Sequence, residues 1–169
     1  MAETIILIGG DEITKNTIMG GSIDKDRYIP CIKACQNTMI KPLLGKELYD
    51  KLCSDYENGT LTGIYLELYD DYVKELVIHG SSMLYLTVGA YNVGNNGIVK
   101  MKSETAEAVT KNEVDFLVQS AKRLYEHYER DFLKWIKTQD IQEYPKYDSS
   151  RLSNRIKVGG WLLKRQNDC

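Results

Sequence analysis

The chain has 169 residues, 43% hydrophobic and 27% charged, with a net charge of only −2. That is enough for one domain with a real core, and the balance excludes a disordered chain. No apolar run nears the ~20 residues that would span a bilayer, so no membrane partner is expected. Met1-Ala2-Glu3-Thr4 lacks the basic start and cleavage site of a secretory leader, and the four cysteines form no disulfide framework. A reducing, intracellular setting is therefore expected, and Asn58-Gly59-Thr60 reads as a turn without a sugar. Charge is uneven: five basic residues from Ser149 to Cys169 against Asp168 give +4, which leaves −6 for the body up to Asp148. Such asymmetry suits a basic arm that docks on an acidic surface.

In chain order, residues Met1 to Ser22 read as an extended N-terminal arm in which Thr4 to Ile8 can form a short strand. The arm contains Gly9-Gly10-Asp11-Glu12, most of the loop with which diguanylate cyclases hold GTP. In those enzymes the loop joins two strands inside an α/β domain. Only eight residues precede Gly9 here, and helical patterns follow. The expectation is a glycine turn with Asp11 as N-cap of a short helical piece from Glu12 to Lys15. A helix follows from Asp24 to Ile40, with Ile29, Ile32, Gln36, Met39 and Ile40 on one side, Asp24 or Asp26 as N-cap, and Pro30 in its first turn. In "MIKPLLGKELYDKL", Met39 to Leu52, Pro42 lacks a donor and Gly45 readily turns left-handed, so a bend is expected here. Leu44, Leu48, Tyr49 and Leu52 then share one face of a helix from Lys46 to Tyr56, stopped by Asn58-Gly59.

Two longer patterns complete the body. Tyr65, Leu68, Tyr69, Tyr72, Val73, Leu76, Met83, Leu84, Thr87 and Tyr91 recur at helical spacing, with Gly80-Ser81-Ser82 either kinking the helix or admitting another one closely. Val114, Leu117, Val118, Ala121, Leu124, Tyr125, Tyr128, Phe132, Trp135 and Ile136 form the stripe of a helix from about Asn112 to Lys137. Between them, 92–110 is a long insertion with room for a short β-hairpin. After Gln139, Pro145 stops any helix, and the chain ends in "KVGGWLLKR" before its last four residues. The expected architecture is an all-α bundle of four main helices: arm 1–22, bundle 23–138 with inserted loop 92–110, and a C-terminal docking extension 139–169. A chain ending at Gln139 is expected to keep its bundle.

The chemistry-bearing motifs are sparse. Neither GxGxxG nor GxxxxGK[ST] occurs. Cys31 and Cys35 lie one helical turn apart, but His79, His127, Cys53 and Cys169 offer no second pair at metal-binding spacing. No Glu-x-x-His occurs, neither histidine adjoins a nucleophile, and Asp70, Asp71 and Glu75 read as a solvated face. No catalytic, cofactor or metal site is expected, and the chain is not expected to be an enzyme. A basic and aromatic tail points instead to an interface made of Tyr144, Tyr147, Arg151, Arg155, Trp161, Leu162, Leu163, Lys164 and Arg165. The rival expectation is a cellular helical interaction module that grips a partner through Tyr65 to Tyr91.

The elbow "MIKPLLGKELYDKL", preceded by "GGSIDKDRYIPCIKACQ", resembles the start of head–tail connector (adaptor or ring) proteins of tailed phages, as in crAss-like phages of gut Bacteroidales. The matching positions are Asp24, Tyr28, Ile32, Gln36, Ile40, Pro42 to Gly45, Leu48, Tyr49 and Leu52, with Cys35 where that pattern has alanine. The resemblance implies a virion structural protein of the neck, assembled in the host cytoplasm. It would form a homo-oligomeric ring of about twelve copies by heterologous contacts. It also implies the portal protein and further neck or tail proteins as partners, the C-terminal extension as the grip, and a channel close to genomic DNA. An acidic lumen would let DNA slide past without being held.

Overall fold

The computed structural model describes residues 5–19, 23–89 and 110–145, together with the backbone of 91–94 and 97–100. As expected, the fold is all-α, with two four-residue strands as its only sheet among the described residues. Helix α1 spans Gly10–Asn16, and a 3-10 turn at Lys25–Tyr28 leads into α2, Ile29–Cys35. A wide π turn, Gln36–Ile40, joins α2 without a break to α3, Lys41–Leu44. After Gly45 comes α4, Lys46–Glu57. Helix α5, Gly63–Glu67, runs through a second π turn, Leu68–Val73, into α6, Lys74–Val88. Strands β1 (Tyr91–Gly94) and β2 (Gly97–Lys100) pair antiparallel, Tyr91 opposite Lys100. Helix α7, Lys111–Ile136, closes the bundle. The rods α2–α3 and α5–α6, with α4 and α7, are the four main helices expected. The hairpin begins at Tyr91, which sequence periodicity places on the α6 stripe, and otherwise falls inside the predicted insertion 92–110. No helix of the described residues is long and apolar enough to cross a membrane.

Several local expectations are corrected. Pro42 does not bend the chain: the helix passes it and turns only at Gly45 (φ 81°). A proline ring clashes with the carbonyl four residues back, and the π turn just before it, where Lys41 N–H reaches back to Gln36 O, provides room. Asp24 does cap, but it caps the 3-10 turn, its carboxylate accepting from Asp26 N–H at 3.1 Å. Pro30 sits in the first turn of α2, and α4 stops at Asn58 and Gly59 (φ 65°), as read from sequence. Thr110 and Glu113 close a capping box on α7.

The segment expected as an extended arm, 1–22, instead packs against the bundle over its described residues 5–19 and contributes to its core. Leu7, Ile8, Ile13 and Met19 are all buried, and residues 5–8 pair with no strand. The Gln36 side chain, buried in the π turn, holds this segment. Its Oε1 accepts from Leu7 N–H at 3.1 Å, and its Nε2 donates to Ile5 O at 2.8 Å and to the Tyr49 hydroxyl at 3.0 Å. Tyr69 adds a bond to Leu7 O at 2.6 Å. Irregular backbone can lie inside a protein only when its polar groups are so matched.

Helix α6 is the axis. Residues 76–82 are buried all round, because α2 runs antiparallel on one side and α7 antiparallel on another. Tyr28 meets Tyr85 edge-on at 4.7 Å, and the Cys35 thiol faces Leu76 O. On the α7 side Trp135 Nε1 donates to Glu67 at 2.8 Å, Tyr72 stacks on Trp135 at 4.8 Å, and His79 stacks on Tyr128 at 5.1 Å. Of the two roles open to Gly80, close approach is the one used, since α6 continues through it. A Cβ there would lie 2.5 Å from Cys35 Sγ and 3.3 Å from the Tyr125 ring.

Residues 140–145 also belong to the body. Ile141 is buried, Tyr144 packs edge-on against Phe132, Glu143 accepts from the Tyr65 hydroxyl at 2.8 Å, and Pro145 lies over Gly45. A chain ending at Gln139 would uncover this end of the core. It should melt lower than one ending at Pro145, by thermal unfolding followed at a helical band. Gly80→Ala should cost about 1–3 kcal/mol through overpacking. Adding Cys35→Ala should recover part of that in urea titrations, because it removes the atom met first.

Candidate docking surfaces

The opening loop is an ordinary helix start. Gly9 is the N-cap of α1 in place of the expected Asp11. Asp11 pairs with Lys25, whose ammonium holds the carboxyl below its usual range. Glu12 pairs with Lys74 at 3.1 Å. Both carboxylates thus face lysines of their own chain, and among the described residues no sheet adjoins them.

The titratable groups inside the bundle are held in their neutral forms. Burial pushes the Cys35 thiol up to about 12, and raises Cys31 and Cys53 as well, so these thiols are poor nucleophiles and ligands. Among the described residues no group of three or more His, Cys, Asp or Glu could hold a metal ion. His79 is 7% exposed, and burial lowers its pKa although Glu75, 3.5 Å away, pulls the other way. The stripe from Tyr65 onward, on which the interaction-module reading rests, is largely taken up by the chain's own core: Leu68, Val73 and Leu76 are fully buried, and Tyr69 and Tyr72 pack against it.

Among the described residues the exposed large hydrophobics are Ile18, Leu66, Val88, Phe116 and Leu124, and two of them, Val88 and Phe116, lie at one end of the α6–α7 pair. Tyr28 stands level with Tyr85, and α2 does not extend beyond it. The α6–α7 pair continues past that point, and none of residues 111–120 is buried although the apolar stripe runs through them. Phe116 is 68% exposed and Val88 54%. The antiparallel register set by His79–Tyr128 and Gly80–Tyr125 brings Val88 to about the level of Leu117. Asn112, Glu113, Phe116 and Leu117 line an open depression of about 380 Å³. Sequence reading assigned Val114, Leu117, Val118 and Leu124 to the core stripe. The first three are only half-buried and Leu124 is exposed, because periodicity marks a face without telling where its cover ends. Phe116 gave no signal, since it lies off the stripe.

Of the predicted interface, Tyr144 is half-buried against Phe132 and belongs to its own chain's packing. Tyr147, Arg151, Arg155, Trp161, Leu162, Leu163, Lys164 and Arg165 lie outside the described residues. They follow Pro145, which sits beside Gly45 at the end of the bundle away from Phe116.

A family model for a family of unknown function, DUF6712, matches residues 40–155, well over half of the chain. The chain belongs to this family. The match opens at Ile40, where the elbow begins, and runs through α3 to α7 into the C-terminal segment, so the DUF6712 region holds both the axis and the uncovered tip. No curated protein and no solved structure matches the chain.

The buried imidazole generates a test. An unfolded histidine takes up its proton near pH ~6.5, whereas folded His79 resists it. Its neutral form therefore stabilises the fold fully above that pH, and the contribution is lost as pH falls through the unfolded value toward the lower folded one. Stability from urea unfolding should drop between pH 7 and 5. His79→Phe, which keeps a ring against Tyr128, should lessen the drop; an unaltered drop would refute the assignment.

Proposed function

We propose that this protein is a structural component of a tailed-phage virion, a head–tail connector that forms a ring between portal and tail around the DNA channel. The reading is carried by one arrangement: a closed bundle whose uncovered apolar tip and C-terminal extension leave from opposite, unlike ends. A ring requires heterologous contacts, one surface of a subunit meeting a different surface of the next. Two non-identical ends on one body supply such a pair, whereas a two-fold dimer would need a single self-complementary patch. The elbow that carries the resemblance supports the same reading. Gly45, at a φ open to glycine, lets α3 and α4 fold back tightly under Pro145, so the pattern Pro42 to Gly45 is a scaffold feature.

In this role the chain carries no catalytic group and needs no cofactor. Its partners are further copies of itself, the portal protein and other neck or tail proteins, and it resides in the virion neck after assembly in the host cytoplasm. The body's charge of −6 suits a channel that must not hold DNA. Mixed with the portal protein of the same phage, the full chain should give closed rings seated on the portal in negative-stain images. A chain that stays monomeric and fails to sediment with portal would overturn the reading. Within that assay Trp161→Ala should weaken assembly more than Lys164→Ala, because buried aromatic anchors outweigh rim charges.

A further inference from the structure

The tip of the α6–α7 pair has an apolar surface that no described residue covers, and one segment of this chain has the chemistry to cover it. Helix α7 starts with its stripe half-exposed, Phe116 projects into solvent, and the depression beside Phe116 and Leu117 is roomy enough for an indole ring. Glu113 lines it, and the adjoining stretch of α7 adds Asp115 against Lys111. The C-terminal extension carries a compact apolar group, Trp161-Leu162-Leu163, followed directly by Lys164 and Arg165 and preceded by Lys157. An aromatic anchor with basic flanks fits an apolar hollow with an acidic rim.

Chain length makes the pairing feasible. The extension leaves the body at Pro145, beside Gly45, at the end where Tyr65 and Phe132 lie. Phe116 is twenty residues up α7 from Ile136, or ~30 Å along the helix axis. Trp161 is sixteen residues beyond Pro145 and reaches at most ~55 Å when fully extended. The segment can therefore leave one bundle at its base and arrive at the tip of a bundle alongside. We propose that Trp161 to Leu163 of one copy pack into the hollow beside Phe116 and Leu117 of a neighbouring copy. This inference rests on the ring reading and specifies the contact that links its subunits. Each copy gives one extension and receives one, so the contact is heterologous and propagates until it closes.

The test uses full-length protein and two variants, each disabling one half of the joint: Phe116→Ser at the tip and Trp161→Ala in the extension. Mass photometry and light scattering report assembly, and circular dichroism checks that each variant keeps wild-type helicity. Wild type should assemble, and each variant alone should weaken self-association at least about tenfold. An equal mixture should regain dimers and nothing larger, because the Phe116→Ser extension can enter the intact tip of Trp161→Ala. If wild type assembles and either folded variant assembles equally well, the tip–extension contact is wrong while the ring reading stands. If both variants are monomeric and their mixture stays so, the pairing between copies is likewise overturned. If wild type itself stays monomeric with and without portal, the ring reading fails and this inference with it.

Discussion

Close approach at Gly80 is the constraint on which the rest of the structure depends. Helix α6 is buried on every side over two turns, which is possible only if helices from both sides approach within contact of its backbone. Cys35 and Tyr125 fill the space a side chain would take. The small residues Ser81 and Ser82 follow on the same stretch, with the Ser82 hydroxyl turned back to Ile78 O at 2.8 Å. Once that contact is set, the antiparallel register of α2 and α7 follows. The aromatic pairs along the seam, Tyr72 with Trp135 and His79 with Tyr128, then come into reach.

The two π turns solve a second problem. A regular helix from Ile29 to Leu44 would place Pro42 against a carbonyl and would turn the inward face progressively away from the core. Widening one turn absorbs the ring and directs the Gln36 amide inward, where three hydrogen bonds anchor residues 5–7 and Tyr49. A glutamine in an otherwise apolar core is tolerable because its polar atoms are matched by backbone that would otherwise be orphaned. Residues 5–8 of the N-terminal segment are thus a structural part of the bundle.

That leaves an economical division of surfaces. The base of the bundle is sealed by Ile141, Tyr144 and Pro145, while the tip keeps a stripe of half-covered apolar residues. Phe116 beside this hollow is the surface on which the proposed contact between copies is built. The proposed ring and its joint both follow from this polarity between a closed end and an open one.

The sequence by itself determined the helices and their order. Periods of three and four residues, Pro30, Gly45 and Gly59 mark α2 to α4, and the long apolar stripe marks α7. These are local effects of backbone geometry and capping, legible wherever they occur. It also marked Gly80 as special without deciding between a kink and a contact. Only the tertiary structure decided which apolar stripes are covered along their full length. It also decided that Leu7, Ile8, Ile13, Met19 and Ile141 join the core and that Gln36 faces inward. Burial of these segments depends on partners tens of residues away, such as Leu7 with Gln36 and Pro145 with Gly45. No local pattern encodes that meeting, because it arises from how long helices end relative to one another.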